Sequence, residues 1–123
     1  MKTVTNNKWR NNVTINNEVM KHAHLHLLGY EITVLADPGS GFCTFSFYSP
    51  KDKERFSKNY GLEQAYERLD KGEMKECVSF KESELPMTLF FRACANRVPY
   101  IPGKLMRAFK KVESLACKHV FCS

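Results

Sequence analysis

The alternating histidines of HAHLH, His22, His24 and His26, are the first residues in this 123-residue chain that could share a chemical task. On a strand the spacing puts all three imidazoles on one face, and on a helix it brings His22 and His26 together, so either conformation permits shared metal coordination. A carboxylate or thiol must complete such a site, and Glu18 is the neighbour in sequence with suitable chemistry. Nothing marks a third ligand, so the row is expected to be an exposed polar face opposite Ala23, Leu25 and Leu27. A second set, Cys117-x-His119-x-x-Cys122, lacks the other ligand pair of a closed zinc site and ends beside the last residue. No metal is expected at either place.

Nucleophilic catalysis would need a Cys or Ser beside a placed His and an oxyanion site, and no nucleophile elbow or protease-like cysteine signature occurs. Gly39-Ser40-Gly41 has the small residues of a phosphate loop. That loop needs a Lys-Ser/Thr and a helix after its last glycine, whereas Phe42 opens an apolar alternating run. Glu63 with Glu67, and Glu82 with Glu84, read as solvated charges. A non-catalytic protein without cofactors is therefore expected, and a small hydrolase assembled from scattered residues is the third reading.

The formal net charge of +6 is the stronger signal, because it is unevenly placed: residues 1–48 carry +1, residues 49–82 carry 0 and residues 83–123 carry +5. A one-sided excess of this kind points to an anionic partner, or to a solvated face. Arg92, Arg97, Lys104, Arg107 and Lys111 are predicted to form the anion- or partner-binding surface. Tyr100 could add stacking. No helix-turn-helix spacing, aromatic RNA-binding strand or zinc finger accompanies them, so nothing supports a sequence-reading role.

The elements that must position these residues follow from period and punctuation. The asparagines at 6, 7, 11, 12, 16 and 17 read as turns around a short strand at Val13 to Ile15, with residues 1–12 loosely held. Residues 18–28 alternate like a strand, and a helix ending at Gly29 is the other reading. YEITVLA and FCTFSFY, joined by DPGSG, form a β-hairpin over residues 30–48. Ser49, Pro50 and Asp52 have the order of a helix N-terminus, with Ser49 as the cap. The following helix is expected to break at Asn59-Tyr60-Gly61 and resume from Leu62 to Lys71, because Phe56 and Tyr60 otherwise oppose Leu62, Ala65, Tyr66 and Leu69. ECVSF gives a short strand with Val78 and Phe80 inward, and Ser83 can cap a helix over 84–95. The last helix, from Gly103 to Lys118, sets Leu105, Ala108, Phe109, Val112, Leu115 and Ala116 as a core stripe against Lys104, Arg107, Lys111 and Lys118.

These elements predict an α+β fold: a small antiparallel sheet from the N-terminal half, packed against three or four helices in a single domain. The chain is long enough to bury a core by itself, with 43% hydrophobic and 26% charged residues. No apolar run approaches the ~20 residues of a membrane span, so no membrane partner is expected. The five cysteines are an odd number without repeating spacing and read as reduced thiols. The N-terminus has no apolar segment behind its positive charge, which predicts a cytoplasmic location.

The run FSFYSPKDKERFSKNYGLEQAYERL, with its SPKD, FSK, Gly and A-x-x-R elements, resembles a signature of small accessory proteins of tailed bacteriophages. It covers 25 of the 123 residues, about a fifth of the chain. The resemblance implies an accessory or anti-defence role in the host cytoplasm, binding and inhibiting a host protein or sequestering a nucleotide signal. It assigns no binding residue. A small nucleic-acid-binding regulator is the alternative.

Overall fold

The computed structural model describes residues 7–49, 58–71 and 77–121, with side chains described at 7–49, 61–71 and 77–112. Five strands, β1 (Val13–Ile15), β2 (Glu18–Leu27), β3 (Tyr30–Asp37), β4 (Phe42–Tyr48) and β5 (Val78–Ser79), form one antiparallel sheet in sequence order. Among the described residues, helices α1 (Lys58–Lys71), α2 (Pro86–Ala95) and α3 (Gly103–Phe121) complete an α+β fold. No described helix is long and apolar enough to cross a membrane.

Turn chemistry makes the meander. Asn16 and Asn17 have φ of 50° and 66°, and Leu28 and Gly29 have 51° and 82°. Paired positive φ angles suit two-residue hairpins because they match the right-handed strand twist, and Asn and Gly tolerate them best. Of residues 18–28, Glu18–Leu27 are strand and Leu28 belongs to the β2–β3 turn. Between β3 and β4, the Asp37 side chain accepts the Gly39 amide at 2.9 Å and its carbonyl accepts the Gly41 amide at 2.9 Å. Phe42 then enters β4 as expected.

The pairing register sorts the sheet into two faces. Ala23, Val34 and Phe45 align across β2, β3 and β4, and with Leu25, Ile32, Ala36, Cys43 and Val78 they form one apolar face. Met87, Leu89, Phe90, Ala93 and Cys94 from α2 and Leu105 from α3 pack onto it. Phe90 is central, with its ring 6.3 Å from Phe45 and 6.2 Å from Phe47. The opposite face carries Met20 and Leu35, covered by Ala65 of α1, with Leu62, Tyr66 and Leu69 packed at the margin. The sheet is thus covered on both sides, which explains why β3 reads as a nearly unbroken apolar run.

Three expectations are corrected. The helix does not break at 59–61: α1 runs unbroken from Lys58 to Lys71. Gly61 is buried against Thr33 and Ser46, so it marks close packing of a continuous helix. The helix expected from Ser49 onward lies outside the described residues. Next, α2 begins at Pro86, with Leu85 at φ −86° and ψ 155° as its N-cap residue and no cap from Ser83. The residue before a proline is pushed to extended backbone, which fixes that boundary. The first turn is satisfied from far away, since Asn7 Oδ1 accepts the Met87 amide at 2.9 Å. Finally, Val112 of the expected α3 stripe is 64% exposed, whereas Leu105 is buried and Ala108 and Phe109 are half-buried; Leu115 and Ala116 lie outside the described side chains.

Residues 7–10, within the segment read as loose, dock on the fold. Trp9 donates its indole N–H to the Glu84 carbonyl at 2.8 Å and packs edge-on to Phe80 with centroids 5.5 Å apart. Arg10 donates its amide to the His22 carbonyl at 2.8 Å.

Candidate functional site

Four of the five predicted cations are open to solvent: Arg97 in the turn after α2, and Lys104, Arg107 and Lys111 on α3. The i, i+3, i+7 spacing puts the last three on one helical side, and exposed Lys110 adjoins them. The Arg107 guanidinium folds back over the start of its own helix, where a Cβ at Gly103 would lie 3.3 Å from Nη1. Among the described residues none of these cations has a carboxylate partner. Beside them are apolar side chains: Phe91 is 47% exposed, with its ring 6.2 Å from that of Phe109 and tilted by 32°.

Arg92, the fifth, is neutralised within the fold. Its guanidinium makes a two-pronged pair with the Glu84 carboxylate and also donates to the Ser79 carbonyl at 2.7 Å. Glu84 Oε1 further accepts the Lys81 amide at 2.9 Å. The Arg92 hydrogen bond is the main cause holding the Glu84 carboxyl below its ordinary range, against the cost of burial. A depressed folded-state pKa contributes stability above the unfolded value of 4.5, lost as pH falls through the folded value. Glu84→Gln should therefore lower the urea midpoint at neutral pH and leave a shallower further drop on acidification. Parallel midpoint curves for parent and variant would remove Glu84 from the acid response.

The histidine row is covered at His24 and partly at His22, contrary to the expectation of an exposed face, which holds for His26. His24 is buried at 3% and His22 half-buried, while His26 is exposed and pairs with Glu31 at 2.9 Å. The register explains this, because His24, Thr33 and Ser46 form one cross-strand row beneath α1. His24 Nδ1 and Thr33 Oγ1 share a 3.2 Å hydrogen bond, Ser46 donates to the Gly61 carbonyl at 2.8 Å, and Thr44 donates to the Ala65 carbonyl at 2.6 Å. These hydroxyls seat the helix on the sheet. The His22 and His24 rings meet edge-on at 5.4 Å. Among the described residues no group of three metal-ligating side chains converges.

Two of the described cysteines, Cys43 and Cys94, are buried and Cys77 is half-buried; none of the three is in a disulfide. Burial pushes the Cys94 thiol up to about 12, and burial with the nearby Cys77 pushes Cys43 well above its ordinary value. Neither buried thiol is a nucleophile at neutral pH.

Two features escaped the sequence reading. Arg92 and Glu84 are eight residues apart and meet only because a turn at 82–83 precedes α2. A groove of about 480 Å³ opens between β1 and α1, lined by Val13, Thr14, Ile15, Leu62 and Tyr66, with Glu63 and Glu67 beside it. Alternation in β1 and the 62–66–69 spacing in α1 hinted at both walls. No protein-family model, curated protein or solved structure matches the chain.

Proposed function

We propose that the chain is a non-catalytic binding protein that engages an acidic protein surface through the cationic side of α3. The observation that carries this reading is the set of exposed cations Arg97, Lys104, Arg107, Lys110 and Lys111 without carboxylate partners among the described residues. By contrast, Arg68 and Arg92 are both engaged inside the fold. Exposed Phe91 and Val112 favour a protein partner, since interfaces combine aromatic and apolar anchors with Arg. A free nucleotide would want a concave cationic pocket, and the clefts beside Glu18 and Asp37, and beside Glu63 and Glu67, carry the wrong sign. With the resemblance to tailed-phage accessory proteins, the reading becomes an inhibitor of a host protein.

Capture from bacterial lysate with and without nuclease tests the class of partner: a protein partner persists after nuclease, and a nucleic acid does not. Reversing Arg107 and Lys111 to Glu should leave the melting temperature near that of the parent, because exposed charges contribute little to stability. Affinity should fall at least about tenfold, because like-charge juxtaposition at an interface costs several kcal/mol. A folded double variant that binds as the parent does at every salt concentration would reduce this side of α3 to a solvated face.

A further inference from the structure

We infer that the chain carries a second docking surface, on the α1 side of the sheet, that holds a basic segment of a partner protein: a Lys or Arg side chain in an acidic pocket, and a neighbouring apolar side chain in the β1–α1 groove. Two adjoining cavities carry the inference. The pocket, of about 300 Å³, lies where the start of β2, the β3–β4 turn and the last turns of α1 meet. Met20, Phe42, Tyr66 and Leu69 line it, with the carboxylates of Glu18, Asp37 and Asp70 among them. The groove, of about 480 Å³, is lined by Val13, Ile15 and Leu62, with Glu63 and Glu67 exposed beside it. Tyr66 lines both cavities.

Charge selects the occupant. No described Lys or Arg lines either cavity, and among the described residues none of these five carboxylates is ion-paired. Arg68 and Lys71, on the same helix, line a separate cleft. In a chain of net charge +6, carboxylates gathered around one concavity make a local field of opposite sign that draws a cation in. Carboxylate oxygens with aromatic lining from Phe42 and Tyr66 suit a guanidinium or an ammonium. The adjoining groove decides between a peptide and a small polyamine. A polyamine would leave Val13, Ile15 and Leu62 uncovered, whereas a peptide with an apolar residue close to its cation covers both cavities. The surface is also held in advance. The Asn16 side-chain amide donates to the Tyr66 hydroxyl at 2.8 Å and the Gly39 amide to Asp37 at 2.9 Å, so little ordering is lost when a segment seats. Because α1 covers one face of the sheet and Leu105 of α3 packs on the other, this surface is separate from the cationic side of α3 and does not rest on the proposed function.

Selection of a random-peptide phage library on the immobilised full chain tests the inference. Enriched peptides should combine Lys or Arg with Leu, Ile, Val or Phe a few residues away. A synthetic peptide of the enriched sequence, titrated by fluorescence anisotropy, should lose at least about tenfold in affinity on Glu18→Lys with Asp70→Lys, because like charges then face each other. Both positions are exposed, so the melting temperature should stay near that of the parent. Glu63→Lys with Glu67→Lys, also exposed, is the independent second variant and should weaken the peptide too. Changing the apolar residue of the peptide to Ser should cost about tenfold or more, the worth of one buried aliphatic side chain. Arg107→Glu with Lys111→Glu should bind the peptide as the parent does. No enrichment, or enrichment of acidic peptides alone, would overturn the inference. So would parental affinity in either folded variant of the two cavities, or displacement of the peptide by an equal concentration of spermidine, which would make the pocket a general polycation site. Acidic peptides that depend on Arg107 and Lys111 would support the proposed function while sinking this one, so the two failures are distinguishable.

Discussion

Alanine at Gly61 is expected to destabilise the protein by about 1 to 3 kcal/mol, the range for overpacking a well-filled core. A Cβ there would sit 2.4 Å from Thr33 Oγ1 and 3.3 Å from Ser46 Oγ. The direction is not obvious in advance, since Gly→Ala inside a helix is ordinarily favourable by ~1 kcal/mol. Here sterics win. Thr33 is β-branched and 1% exposed, so its χ1 is stiff and no open space receives a rotated hydroxyl. Rotation would also break its hydrogen bond to His24. The alternative is for α1 to rise off the sheet, stretching the bonds from Ser46 to the Gly61 carbonyl and from Thr44 to the Ala65 carbonyl. Thermal melts and urea titrations of Gly61→Ala and Gly61→Val measure the effect, which should grow with side-chain volume. Thr33→Ala in the Gly61→Ala background should recover part of the loss. A Gly61→Ala protein as stable as the parent would mean that α1 is not seated as closely as described.

That contact also shows what the sequence made legible. Strand boundaries at Val13–Ile15 and Phe42–Tyr48, the hairpin across DPGSG and the start of α3 at Gly103 are all local: period-two alternation, Asn and Gly turn chemistry, and a helical stripe after Pro102. The errors were long-range. Glycine at 61 looked like a helix break because its reason lies on β3, and a polar row at His22, His24 and His26 looked like a solvent face because nothing local announces a covering helix. Thr33, Thr44 and Ser46 face that row across the register; the Thr44 and Ser46 hydroxyls meet α1 carbonyls and the Thr33 hydroxyl meets His24. Likewise, Val112 continues the periodicity of Leu105 and Phe109, yet it is 64% exposed among the described residues. For the cationic set, the sequence located the charge, and tertiary contact separated Arg92 from the rest by placing Glu84 beside it.

Arg68→Ala should be the more damaging surface change, at about 2 to 4 kcal/mol, combining a charged hydrogen bond and a cation–π contact. Beyond the short β5, which pairs with Phe42 and Cys43, one side of β4 has no neighbouring strand among the described residues. Two side chains take its place. Arg68 donates Nη1 to the Phe45 carbonyl, and the Phe45 amide donates to the Tyr100 hydroxyl at 3.2 Å. The Arg68 guanidinium lies 3.9 Å from the centroid of the Tyr100 ring, so α1 and the α2–α3 connector close over the edge as one clip. Removing Arg68 unpairs the carbonyl and opens a strand edge, the kind of surface that templates edge-to-edge association. Arg68→Lys should recover little, because an ammonium cannot stack flat on the ring while reaching the carbonyl. Tyr100→Phe keeps the ring and loses the hydroxyl, at a cost of about 1 kcal/mol, and its double-mutant cycle with Arg68→Ala should show coupling beyond additivity. Urea titrations give the energies, and light scattering on the folded Arg68→Ala variant reports the opened edge. An Arg68→Ala protein within about 0.5 kcal/mol of the parent, the range of ordinary surface changes, would show that solvent satisfies Phe45 as well as the clip does.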